Sequence, residues 1–299
     1  LATLAATITA VRRILNDFPV AIHLNGAIGD TTTETFIVDA ADIRQVSVGQ
    51  RLEHDDGGTT SAEQRLVYAV DPDTFTVSAY RGAFGSTAAT HADNSFVLVD
   101  PRFPYDTVAQ AVNQCLDYDL YPQVYEIVEH QVTSSATSHA YNAPATACEK
   151  WLDVYQRTVS TNVPTRSGIS YSVYKQNVDS ALWANGVFEI YGGKADGSEK
   201  FYVNCAHRIA IGTLIARQER LVHYCSVAHL LEETNPRRLA GPTNQGDRSV
   251  KPGAELQSAG WYWDRFYRMR RGEEKWLRQQ VPPREVFKRA GAVTYGSSS

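Results

Sequence analysis

The chain has 299 residues, 43% hydrophobic and 21% charged, which allows one large or two ordinary globular domains and excludes a mini-protein held together by staples. Its net charge of −4 is uneven: from Arg237 onward there are 13 Lys+Arg against 6 Asp+Glu, or +7, leaving −11 on the first 236 residues. An acidic chain with a basic end argues against a general nucleic-acid binder and for a C-terminal segment that meets an acidic partner, a neighbouring copy or phosphate.

At the start, Leu4, Ile8, Val11, Leu15 and Phe18 recur at helical spacing, Arg12, Arg13 and Asp17 fall off that stripe, and Pro19 ends it. This predicts a short amphipathic helix. The opening lacks a basic leader followed by a long apolar core, so no secretory signal is expected there, and no run reaches the roughly 18 apolar residues of a membrane span. From residue 20 the pattern turns to short alternating runs, TFIVD, RQVSVGQRL, QRLVYAV, TFTVSAY and NSFVLVD, parted by DDGGTTS, DPD and RGAFGSTAATHADN. These predict a small β domain over 20–102, in which RGAFGSTAATHADN is the loop of a long hairpin.

Helical period returns in YDTVAQAVNQCLDYDLYP, where Val108, Ala111, Val112, Cys115, Leu116 and Leu120 share a face. A less regular β region follows over 126–210, with GGKADGSEK as one of its turns. Two further helices are predicted at about 213–233 and 254–279, separated by the breaker-rich NPRRLAGPTNQGDRSVKPG. The last one carries an aromatic face (Ala259, Tyr262, Trp263, Phe266, Met269 and Trp276) and a cationic one (Arg265, Arg268, Arg271, Lys275 and Arg278). Like charges three and four apart repel, so the cationic stripe calls for a neutralising surface on a partner or a second copy.

The expected fold class is therefore α+β: a helical bundle core built from 1–19, 103–125 and the C-terminal segment 211–290, with the small β domain 20–102 inserted and a second β region at 126–210.

Sites for chemistry are few. GAFGSTAA offers GxxG without a lysine and leads into a strand, so it fits neither a P-loop nor a dinucleotide fingerprint. Cys205 and His207 would share a face on a strand, but His223 and Cys225, two apart on a helix, point about 200° away from each other. No GxSxG or HExxH occurs, and Asp55, Asp56, Asp71 and Asp73 sit in turn-like contexts where aspartate is expected for local backbone hydrogen bonds. The four cysteines form no CxxC pair and read as buried reduced thiols of a cytosolic product. No catalytic residue, metal or cofactor is expected.

The strand ending in Arg81-Gly82, then Gly85-Ser86, a small-residue run and His91 before the next strand resembles a β-hairpin recurrent in tailed-phage virion proteins. Arg81 and His91 would brace its loop, while Gly82 and Gly85 permit positive φ. The flanks TLAATITAVRRILND and RFPYDTVAQAVNQCLDYDLYPQVYEI, with LVHYCSVAHLLEE and the Arg-rich helix before VPPRE, resemble the helices of head-to-tail connector adaptors. That resemblance implies a non-enzymatic virion protein of the neck that passes through the host cytoplasm during assembly. It implies a ring, usually of twelve copies, docked on the portal protein, joined to the next neck or tail component and leaving a channel for genomic DNA. Arg265, Arg268, Arg271, Lys275 and Arg278 would meet the portal or the neighbouring subunit. The alternatives are another virion protein (minor tail, baseplate or decoration) and a phage-encoded hydrolase acting through a cluster around His207 or His223.

Overall fold

In the computed structural model, residues 2–55, 62–132, 140–142, 150–158, 170–174, 187–191, 199–238 and 254–280 are described. They fall into two compact units: 1–122 with Ile209–Arg271, and Gln123–Arg208 with the helical residues from Gly272 on.

The first unit begins with α1 (Leu4–Ile14), capped by Thr3, whose hydroxyl accepts from Ala6 N. Six strands follow: β1 (Val20–His23), β2 (Thr35–Ile37), β3 (Arg51–Asp55), β4 (Glu63–Asp71), β5 (Thr76–Tyr80) and β6 (Phe96–Val99), in the antiparallel order β1-β6-β3-β4-β5-β2. The sheet curls until its ends meet. Leu24 pairs with Val38, Asn25 N donates to Ile37 O and Asp39 N to His23 O, so a small barrel closes without free edges. Alternation puts Ile22, Phe36, Leu52, Val67, Val77, Ala79, Val97 and Val99 inside it, all buried.

The helices of this unit are α2 (Tyr105–Gln114), continued by a π-helical turn at Cys115–Leu120, then α3 (Ala216–Arg238) and the first part of α4 (Ala254–Gln280). The predicted inward residues Val108, Ala111, Leu120, Leu221 and Ala228 are all buried. A helical bundle core, however, is not what organises the chain. The barrel has its own closed apolar interior, so it is no insert depending on helices for a core, and each helix buries a single stripe.

Two residues placed off the first helical stripe, Arg12 and Asp17, are buried instead. Arg12 donates from Nε to Phe103 O (2.9 Å) and from Nη2 to both Glu53 carboxylate oxygens (2.8 and 2.9 Å). Glu53 Oε2 also accepts from Tyr105 N at 2.7 Å, and Asp17 Oδ2 from Phe103 N at 3.0 Å. Glu53 points out of the barrel, and this network fastens α1 and the start of α2 onto it. Arg12→Lys keeps the charge but cannot reach both partners, so it is expected to cost about 1–2 kcal/mol in urea unfolding.

The cysteines correct another expectation. Cys115 and Cys225 form a disulfide joining the π turn to α3, and Cys205 is disulfide-bonded too. Partners 110 residues apart leave no spacing signal.

In the second unit, β7 (Glu126–Val132), β12 (Glu199–His207) and β9 (Lys150–Thr158) form one antiparallel sheet with β12 central. The strands β8 (Ala140–Asn142), β10 (Ser170–Tyr174) and β11 (Val187–Tyr191) form another, in the order β10-β11-β8. The end of α4 also belongs here. Most of the turn predicted at 192–200, the loop at 239–253 and the tail beyond 280 lie outside the described residues.

Candidate functional site

The loop 81–95 leaves β5 and enters β6, which are not neighbours in the sheet, so it crosses the barrel instead of closing a hairpin. Its start is a 3-10 turn, Ala83–Gly85, entered through Gly82 (φ 57°), and Gly82, Phe84 (φ 56°) and Gly85 (φ 83°) are left-handed. A Cβ on Gly82 would meet Ser86 O at 3.1 Å, so glycine is favoured there on two counts, its left-handed φ and this tight approach. The far end is held by a two-bond bridge between Ile28 and His91.

Arg81 and His91, the two side chains expected to brace this loop, converge on one carboxylate. Glu63 Oε1 accepts from Arg81 Nε at 2.9 Å and Oε2 from Arg81 Nη2 at 2.8 Å, while His91 Nε2 lies 2.6 Å from Oε2. Ala89 N donates to Glu63 as well, and Arg81 reaches the backbone oxygens of Asp30, Thr33 and Ala89. Arg65 donates from Nη2 to Glu63 Oε2 at 3.3 Å, and its Nε stands 3.2 Å from Oε1 without a hydrogen-bonding angle. His54 stacks on His91 with centroids 4.0 Å apart, and neither of its ring nitrogens has a hydrogen-bond partner among the described residues. His54, Glu63, Arg65 and His91 are all buried.

Burial opposes the Glu63 charge, but the hydrogen bonds from His91 and Arg81 and the Arg65 charge outweigh it and hold the carboxyl well below its ordinary value of 4.5. Burial, aided by the Arg65 charge, pushes His54 well below 6.5, so it stays neutral. The assembly is a charged plug that orders the crossing loop. Arg81, Arg65 and His91 all spend hydrogen bonds or charge on the one Glu63 carboxylate.

A second feature is the surface of α4. Ala259, Phe266, Glu273 and Leu277 form its buried seam, while Trp261 is 53% and Tyr267 40% exposed. The predicted cationic residues Arg265, Arg268, Arg271, Lys275 and Arg278 are all exposed. Two are neutralised within the helix itself, Arg268 by Asp264 and Arg278 by Glu274, each at 2.5 Å and four residues apart. Charge repulsion along the stripe is therefore partly answered without a partner. Arg265 lies over Trp261 (5.6 Å) and Tyr224 (5.8 Å), and an open depression of about 310 Å³ is lined by Trp261, Asp264, Arg265, Arg268 and Met269 among the described residues.

The third feature is a cluster on facing helical turns. Cys115 and Asp119 come from the π turn, Cys225 and His229 from α3, and one ligand atom of each lies within 4.8 Å of every other. Asp119 Oδ2 is 2.7 Å from His229 Nε2 and 3.5 Å from Cys225 Sγ. Asp119 O accepts from Arg270 Nη1 at 2.8 Å, and the rings of Trp263 and His229 meet at a near-perpendicular angle. The pairing of His223 with Cys225, two apart on α3, is not the one the fold uses; Cys225-x3-His229 and Cys115-x3-Asp119 are. Their i, i+4 spacing is the signal that a reading by short motifs misses. His223 stands apart from this cluster, its imidazole pushed down by burial.

In the second unit, Cys205 and His207 on β12 meet His130 of β7, with His130 and His207 Nε2 atoms 3.0 Å apart. At the barrel, Asp42 beside His23 accepts from His23 N at 2.9 Å and serves as a backbone cap. No helix among the described residues is long and apolar enough to cross a membrane. No protein-family model matches the chain, and no curated protein matches its sequence.

Proposed function

We propose that the chain is a structural adaptor of a tailed-phage neck, which docks on the portal protein as a ring, joins it to the next neck or tail component and leaves a passage for DNA. The observation that carries this reading is the face of α4. Exposed tryptophan and tyrosine interleaved with arginine is the composition of protein–protein contact surfaces, where planar rings and guanidinium groups bury large areas at low entropic cost. A closed barrel with a charged plug supports it as a stiff body suited to rigid docking. The acidic balance of the first 236 residues suits a channel that must release DNA, because phosphate neutralisation would hold it. Function here is assembly, with no turnover.

Mixing the full chain with portal protein is expected to give closed rings in electron micrographs. Arg268→Glu with Arg271→Glu is expected to weaken that association by about tenfold or more, because like charges placed in a contact surface are costly. The exposed Arg268–Asp264 pair is worth only about 0.5 kcal/mol, so the melting temperature should hardly move. Rings that form undiminished in the double variant remove α4 from the interface, and absence of any association with portal removes the adaptor reading.

A further inference from the structure

We propose that Cys115, Asp119, Cys225 and His229 form a redox-gated zinc site, a disulfide in the oxidised chain and a four-ligand metal centre once a dithiol has reduced that bond. A disulfide between packed helices needs no carboxylate and imidazole at its side, yet here both converge on it from the same two segments. The ligands come as two i, i+4 pairs on facing turns, the arrangement by which helical proteins aim two side chains at one ion. The π turn at Cys115–Leu120 is an independent pointer. Its wider coil brings residues four apart close to eclipsed, which sets Asp119 above Cys115, and such turns concentrate at functional sites.

The chemistry balances. The dithiol supplies two electrons and two protons, becomes a disulfide itself, and leaves two thiols on the chain. Zinc then displaces the two thiol protons to solvent and forms two Zn–S bonds. His229 coordinates through Nε2 with its proton on Nδ1, and the ionised Asp119 carboxylate completes the tetrahedron. Zn–S bonds of about 2.3 Å and Zn–N or Zn–O bonds of about 2.0–2.2 Å put tetrahedral ligand atoms roughly 3.3–3.8 Å apart. The present 2.7 Å between Asp119 and His229 and 3.5 Å between Asp119 and Cys225 need only small adjustments. Two thiolates and a carboxylate gathered in a largely buried site repel one another, and a divalent cation is the species that relieves this. The residual negative charge sits beside Arg270, which already holds the Asp119 backbone.

The test uses the full chain, reduced with a phosphine and titrated anaerobically with cobalt(II) as the zinc surrogate. About one ion per chain is expected to bind with thiolate-to-cobalt charge-transfer bands and tetrahedral ligand-field bands, and zinc should bleach both. The oxidised chain should show neither. Cys225→Ser should lose the two-thiolate signature. His229→Asn and Asp119→Asn, which leave both thiols and hence the fold's crosslink available, should each weaken binding by at least about tenfold. His207→Asn, in the other unit, should leave the signal intact. A reduced wild-type chain without the thiolate bands overturns the proposal. So do His229→Asn and Asp119→Asn variants that both bind like wild type, or a signal that vanishes with His207→Asn.

Discussion

Reducing the Cys115–Cys225 bond in the presence of a chelator is expected to lower the unfolding free energy by about 3–5 kcal/mol. The bond ties residues 110 apart, and for a loop of that length the chain-entropy account gives about 4.8 kcal/mol at room temperature, at the upper end of measured disulfide effects. Both cysteines are fully buried, so opening the bond also leaves two thiols packed between the π turn and α3. Cys115→Ala with Cys225→Ala in an oxidising buffer, which leaves the Cys205 disulfide closed, should show the share of the loss that belongs to this bond, as a lower urea midpoint read by tryptophan fluorescence. If zinc added to the reduced chain restores most of the lost stability and zinc added to the double variant does not, the crosslink and the metal act at one place. A loss below about 1 kcal/mol would mean that the helices hold their contact without the bond.

How far the sequence discloses this protein depends on the range of the interaction concerned. Periodicity locates α1, α2, α3, α4 and the strands around them, because the burial of one face writes itself locally. It does not say that β1 and β2 meet, since Leu24↔Val38 closure is a property of the accumulated curl of six strands. Taken without closure, the alternating runs are too small to hold a core, and the core falls to the helices. The same gap makes 81–95 read as a hairpin, because sequence adjacency of β5 and β6 is not sheet adjacency.

Site residues follow the same division. Glycines at 82 and 85 and the pair Arg81 and His91 are visible as turn chemistry. Their common partner Glu63 is hidden in a strand, although Glu63, Arg65 and Val67 alternate onto one face and carry two charges where an apolar residue is due. A charge at the inward position of an alternating run is itself the mark of a buried network. Cys225-x3-His229 is likewise legible as a helix-face pair, but only the packing of α3 on the π turn shows that Cys115 and Asp119 stand opposite.

Glu63→Gln is expected to cost about 3–5 kcal/mol, since it takes from the buried Arg65 and Arg81 guanidinium groups their nearest counter-charge and leaves only the exposed Asp30 carboxylate, 3.9 Å from Arg81. Adding Arg65→Met should recover more than about 1 kcal/mol of this, because the two residues share one network and their effects are coupled. The same plug fixes the response to acid. His54 is held below its ordinary 6.5 when folded, so between that value and its folded one the unfolded chain binds a proton that the native chain refuses. Stability must therefore fall as pH drops below about 6.5, by up to about 1.4 kcal/mol per pH unit for that one proton. Glu63 acts in the same direction lower down. Its carboxyl is depressed in the fold, so its contribution is complete above 4.5 and drains away as pH falls from there toward the folded value. Urea midpoints measured from pH 8 down to pH 4 should thus be flat at first, bend near 6.5 and steepen below 4.5. His54→Phe, which fills the same stacked position against His91 without a titrating nitrogen, should remove the first bend and keep the second. A wild-type profile flat through 6.5, or a His54→Phe profile that bends there as before, would show that His54 takes up its proton in the fold, and the barrel interior would then have to admit water.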